Sequence, residues 1–472
     1  MSAPAISRTP PLAGRSRSLP RSRRGATAEL ALAKPRLHWA VVLLLAVWLM
    51  PFVFSIGPVR MTPYRLTLLV LMGPCIAWVA QGRAGRARLP DILIVLFAIW
   101  CTISLVVIHG ATGIQSAGIQ VLETLTPYFL ARCCIRTADD FYALARFLTI
   151  IVAALLPFAI YEAVTGHNLY VEIASRILPT IDITDKQPRW NLRRAQLFFD
   201  HPILTGVCLG SVLVLAHMVV GRSERFANRW LRSVVVGFTG ALSLSSGPLS
   251  GMLAQILLML WNWLFRWSRR RWMVLISLLV LLAVVAQLVA KRPLPNILLS
   301  FAFEPDSAFF RLLIWDFGTR SVANNPWFGV GMGEWVRPRW MGPSIDMFWL
   351  YNAITYGVMG GLLMFGFFLA AVSSIGAVKN LDQRHYDYRA AYLIAMVSFF
   401  LTGWMVHFWN GTYVFFILMV GSGMWLRDAP AEAPLVTGGQ QLTTGRSLRR
   451  LDRKQRTVPR QARAGENLGP HT

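Results

Sequence analysis

The chain has 472 residues, 55% of them hydrophobic, with 18 Trp and a mean hydropathy of +0.49. A soluble domain must wet its surface, and too little polar sequence is left for that, so the composition reads as a polytopic, all-α membrane protein. The net charge of +25 does not point to nucleic acid, because its densest clusters lie in an N-terminal arm (Arg8, Arg15, Arg17, Arg21, Arg23, Arg24) and a tail (Arg446, Arg449, Arg450, Arg453, Lys454). Arms of this kind flanking apolar sequence orient a protein and touch anionic lipid.

The arm (1–38) and the tail (427–472) are rich in Pro, Gly, Ser and Arg, a composition expected to stay disordered. The arm is also too long and too charged to resemble a cleaved signal peptide. Between them lies the membrane domain, 39–426. Crossing the hydrocarbon core takes about 17 to 25 apolar residues, and nearly uncharged candidates lie at 40–57, 64–80, 90–108, 147–164, 202–220, 272–290 and 347–375. A weaker candidate, 121–135, carries Glu123 and Arg132. The uncharged block 233–265 has double length and is interrupted at Ser245-Ser246-Gly247-Pro248, so it reads as a tight hairpin of two spans. Residues 391–426 are interrupted around His407, Asn410 and Gly411 and also read as two crossings. Lys and Arg in short loops mark the cytoplasmic face. The clusters Arg83/Arg86/Arg88, Arg132/Arg136/Arg146, Arg222/Arg225/Arg229/Arg232 and Arg266/Arg269/Arg270/Arg271 fall on one side, together with both termini, only if 121–135 crosses. The expected topology therefore has twelve spans.

Two loops, 165–201 and 291–346, then face outward, and both are rich in cations: Arg176, Lys186, Arg189, Arg193 and Arg194 in the first, Lys291, Arg292, Arg311, Arg320, Arg337 and Arg339 in the second. Loops of this length escape the charge rule, and solvated side chains account for most of the set. Arg194 and Arg311 are different, because both lie near the membrane boundary beside ordered-looking sequence, where a guanidinium can grip phosphate oxygens. Arg194 belongs to RRAQLFFDHPILTG, in which Asp200, His201 and Pro202 mark a helix start and Gly206 allows close packing. Arg311 opens RLLIWDFGTRSVANNP, whose Phe310, Leu313, Ile314 and Phe317 are spaced for a short amphipathic helix on or near the bilayer. Glu162 and Asp200 flank the first loop, as partners either for sugar hydroxyls or for arginines. His407 reads as an interhelical polar group. Tryptophans at the loop edges, Trp315 among them, suit either sugar stacking or the membrane interface. The five cysteines lack zinc-like spacing and read as small lipophilic residues. No DxD-type metal site is present on either face, and no cofactor is expected.

Three blocks in this order resemble the bacterial O-antigen ligase and polysaccharide polymerase superfamily of membrane glycosyltransferases, over roughly residues 190–370. They are Arg194-Ala195 with Phe198, His201-Pro202 and Gly206; SLSSGPLSG at 243–251; and Arg311 with Trp315, Asn325-Pro326-Trp327-Phe328-Gly329 and Gly331. The resemblance implies an inner-membrane enzyme whose donor is a glycan on undecaprenyl pyrophosphate, used at the periplasmic face without a metal. Arg194 and Arg311 would neutralise the departing pyrophosphate, with Arg189, Arg193 and Arg292 nearby and His201 and Trp315 as further substrate contacts. Where the family's ligases carry a loop histidine, this chain has Asp346, a general base or an N-cap for the following helix, roles that are compatible. Aspartate there looks more like the exopolysaccharide polymerases and implies inverting transfer of a growing chain, with a chain-length regulator or export machinery as partner. A ligase acting on lipid A-core is the alternative enzyme. A transporter is the non-enzymatic one, although the central spans lack charge and show no repeat.

Overall fold

The computed structural model describes residues 36–57, 59–183, 186–268, 270–289 and 305–428. Arg292 and Lys291, the basic arm up to residue 35 and the tail from residue 429 lie outside the described residues. Up to residue 378 and from residue 383 to residue 428 the described chain packs as one unit. The protein is mostly helical, and each apolar segment read from the sequence contains a helix.

In chain order the helices are α1 (Trp39–Trp48), α2 (Pro63–Ala80), α3 (Leu89–His109), α4 (Gly113–Cys134), α5 (Ala138–Thr165) and the short α6 (Leu169–Ser175). They continue with α7 (Pro202–Ser211), α8 (Leu213–Met218), α9 (Phe226–Ala241), α10 (Ser246–Leu264), α11 (Arg271–Val289), α12 (Pro305–Asn324), α13 (Phe348–Gly376), α14 (Gln383–Gly403) and α15 (Gly411–Ser422). Among the described residues, six stretches are long and apolar enough to cross a membrane: 63–80, 89–134, 138–165, 202–223, 271–289 and 348–376.

The first segment is shorter than its apolar length suggests. Helix α1 has 10 residues, and Pro51 disfavours helical backbone just before it. The chain turns instead into an antiparallel hairpin of β1 (Phe54–Ile56) and β2 (Val59–Met61), paired Phe54 to Met61 and Ser55 to Arg60. The turn before that hairpin is stitched to the first long loop, Val53 N donating to Pro179 O at 2.9 Å and Ile181 N to Pro51 O at 2.9 Å.

The charges that weaken the fourth segment both find partners. Glu123 Oε1 accepts from Arg65 Nε of α2 at 2.7 Å, and Arg132 Nε donates to Asp91 Oδ1 of α3 at 3.0 Å, with Tyr128 OH on the same carboxylate at 2.7 Å. A buried ion is tolerated when paired and hydrogen-bonded, so α4 keeps its place among α2, α3 and α15. The interruption in the uncharged block is confined to Leu242–Ser245, and Ser246, Gly247 and Pro248 already form the first turn of α10.

The glycines of NPWFGVG have a structural job. Helix α13 breaks at Gly357 (φ 75°, ψ 177°), backbone that only glycine adopts readily. The broken turn pairs with the loop after α12: Val330 N donates to Ile354 O at 2.9 Å, Gly331 N to Thr355 O at 2.9 Å and Val358 N to Pro326 O at 2.8 Å. Trp100 Nε1 of α3 takes Tyr356 O at 2.8 Å, and its ring stacks on Phe328. These bonds answer the carbonyls that the break frees, as apolar surroundings require. A Cβ on Gly357 would lie 2.0 Å from Trp327 O, so Gly357→Ala should destabilise the protein by about 2 to 4 kcal/mol. A melting curve of detergent-purified protein followed by tryptophan fluorescence reads the loss, and an unchanged midpoint would contradict the packing described.

Candidate functional site

The site is built from three loops, each fixed at a strained residue. In the first, Leu197 has φ 54°, a left-handed conformation that costs a leucine about 1 to 2 kcal/mol. The buried Glu162 carboxylate holds it there by accepting from the backbone N–H groups of Gln196 at 2.8 Å and Leu197 at 2.9 Å, and from Asn168 Nδ2 at 3.2 Å. Asn168 Nδ2 also donates to Leu197 O at 2.7 Å. Thus the carboxylate at the end of α5 sets the path of the segment from Arg194 to His201.

The second loop is the turn between α9 and α10, with Leu244 at φ 45°. Arg189 Nη1 donates to Leu244 O at 2.7 Å, Arg194 Nη2 to Ser245 Oγ at 2.7 Å, and Ala195 N to Leu242 O at 3.0 Å. Helix α7 can approach this turn only because residue 206 is glycine: a Cβ there would meet Ser243 Oγ at 2.3 Å and Pro248 Cβ at 2.7 Å. The third loop joins α14 to α15, with Asn410 at φ 49°. Its Met405 carbonyl accepts from Arg311 Nε at 2.9 Å, which brings α12 to the same place.

These constraints converge on one cavity, lined by Lys186, Arg189, Arg194, Arg311, His201 and the Ser245–Gly247 turn. Its cationic side chains come from two long loops that are far apart in sequence. The N-terminus of α10 adds the positive end of a 19-residue helix. Among the described residues no carboxylate lines this cavity. It is a place that favours a compact, multiply charged anion.

His201 caps α7, its Nδ1 accepting from Ile203 N at 3.1 Å. Burial, and then the charges of Lys186, Arg194 and Arg189, push its pKa down from 6.5 to about 4. The unfolded chain therefore takes up this proton before the folded one does, and the contribution of His201 to stability is complete above pH 6.5 and lost as pH falls toward 4. Asparagine can cap the helix without titrating, so His201→Asn should flatten the stability profile across that window, as measured by melting temperature against pH. Glu162→Ala would leave two buried amides unanswered, at about 1 to 3 kcal/mol each, and should make the 194–201 segment the first site of limited proteolysis.

Other residues expected at the site lie elsewhere. Arg193 leaves the cavity: its N–H bonds Ala163 O at 2.8 Å, and its side chain crosses Gly166. Trp315 is exposed with its ring 6.0 Å from Trp404, and it does not line the cavity. Asp346 is exposed, accepts from Ser344 Oγ at 2.6 Å and is outside the lining. It is not an N-cap either: α13 starts at Phe348, and its N-cap is Met347. Lys186 and the Ser245–Ser246 hydroxyls, by contrast, are lining groups that sequence reasoning did not single out. The signal was there in the SSGP start of α10, a helix N-terminus beside basic loops. Among the described residues, no group of three or more His, Cys, Asp or Glu is placed to hold a metal ion. No protein-family model matches the chain, and no curated protein matches it.

Proposed function

We propose that the protein is a membrane glycosyltransferase that lengthens a polysaccharide on undecaprenyl pyrophosphate at the outer face of the bacterial inner membrane. In this reading the apolar helices make twelve crossings, both termini are cytoplasmic, and the cationic cavity opens outward. The observation that carries the reading is the convergence of Arg194 and Arg311 on a single cavity with Lys186, Arg189 and the start of α10.

A pyrophosphate leaving from an anomeric carbon develops charge on its bridging oxygen, and cations already in place stabilise that charge without reorganising. Arg194 and Arg311 are held at the cavity by Ser245 Oγ and Met405 O, which supports this role. The hydroxyl of an acceptor sugar attacks the anomeric carbon from the opposite face, the bond to the pyrophosphate oxygen breaks, and the configuration inverts. Neutral His201 adds polar lining and, at neutral pH, no further charge.

The test is reconstitution of the purified chain with lipid-linked repeat units, with products read on a size ladder. Arg194→Ala and Arg311→Ala should each slow lengthening by about 100-fold or more, while Arg320→Ala, which removes an exposed pair with Asp316 and a contact with the Phe317 ring, should leave it unchanged. Lengthening that persists in both cavity variants would remove the pyrophosphate assignment, and a wild type that moves lipid-linked glycan across vesicles without lengthening it would identify a transporter.

A further inference from the structure

A second cavity is linked to the cationic one along the chain, the consecutive residues Asp200 and His201 lining one each. Its chemistry is different from that of its neighbour. Trp48, Phe198 and Phe199 supply aromatic surface, and Arg60, Arg65, Asp200 and Asn410 supply hydrogen-bonding groups. The polar groups are arranged in a chain: Arg65 Nε donates to Glu123 at 2.7 Å, Arg65 Nη2 to Asn410 Oδ1 at 3.1 Å, and Asn410 Nδ2 to Asp200 Oδ2 at 2.9 Å. Glu123 thus fixes Arg65, Arg65 fixes which way the Asn410 amide faces, and that amide orients the Asp200 carboxylate. Asn410 holds a left-handed backbone to do so. Aromatic surface beside planar polar groups suits a pyranose, which has apolar CH groups and a rim of hydroxyls.

We propose that this cavity is the acceptor-sugar subsite and that Asp200 is the base that receives the acceptor's proton. The assignment rests on the transfer reaction proposed above. Asp200 and His201 are consecutive, with Cα atoms about 3.8 Å apart, so the segment that gives one cavity its carboxylate runs directly into the lining of the other. In the step, the acceptor oxygen bonds the anomeric carbon, the bond from that carbon to the pyrophosphate oxygen breaks with its electron pair going to pyrophosphate, and the hydroxyl proton passes to Asp200. The two cavities divide the work: cations for the leaving group, a carboxylate and aromatic rings for the attacking sugar. Arg65 and Asn410 are positioning residues.

The experiment uses the full chain in nanodiscs and, as probe, the oligosaccharide freed by mild acid from the cell's lipid-linked repeats, which carries neither lipid nor pyrophosphate. Saturation-transfer NMR should show it bound to wild type and to Asp200→Asn but not to Asn410→Trp, whose indole fills the cavity. Elongation of that oligosaccharide from a labelled lipid-linked donor should fall about 100-fold or more in Asp200→Asn with the donor KM unchanged. Absence of binding to wild type, or binding retained in Asn410→Trp, would overturn the subsite. Elongation at the wild-type rate in Asp200→Asn would overturn the base. Binding by a wild type that elongates nothing would leave the sugar site standing and remove the transfer reaction instead.

Discussion

The way the guanidinium groups are anchored governs the site. Arg189, Arg194 and Arg311 each donate to a main-chain carbonyl, of Leu244, Ser243 and Met405 respectively. A carbonyl fixes the direction of a guanidinium, so these bonds orient the three side chains at the cavity they line. The surrounding loops are shaped to present those carbonyls. Leu197, Leu244 and Asn410 all hold left-handed backbone in the segments that line the two cavities. Such strain survives only where neighbouring bonds over-determine it, as Glu162 and Asn168 do at Leu197.

Loops 196–201 and 404–410 each contribute to both cavities. In the first, Asp200 faces the aromatic cavity and His201 the cationic one; in the second, Met405 holds Arg311 and Asn410 holds Asp200. A displacement of either loop would disturb both cavities. This coupling is what a transfer between two large glycans needs, because leaving group and attacking hydroxyl must be aligned at one carbon.

The sequence shows the helices plainly, since apolar length and the Pro-Gly interruptions are local signals. It also marks Arg194 and Arg311, because cations beside apolar boundaries conflict with their surroundings. Three things needed tertiary structure. The charges in α4 looked unfavourable until Arg65 and Asp91, on other helices, were seen to pair with them. The glycines of NPWFGVG stood in the sequence only as part of a resemblance, yet Gly329, with Gly357 of α13, lets two backbones meet across the break in that helix. Asp200 was legible as a polar residue at the edge of the first loop, but its bond to Asn410, 210 positions away, was not.

The central claim is that the cavity between Arg194 and Arg311 binds a pyrophosphate. Electron cryomicroscopy of the full chain in nanodiscs with undecaprenyl pyrophosphate tests it directly. The account predicts density for two phosphates bounded by Arg194, Arg311 and the first turn of α10, with the isoprenoid running into the bilayer. Well-resolved density for the headgroup at another place, with this cavity unoccupied, would contradict it.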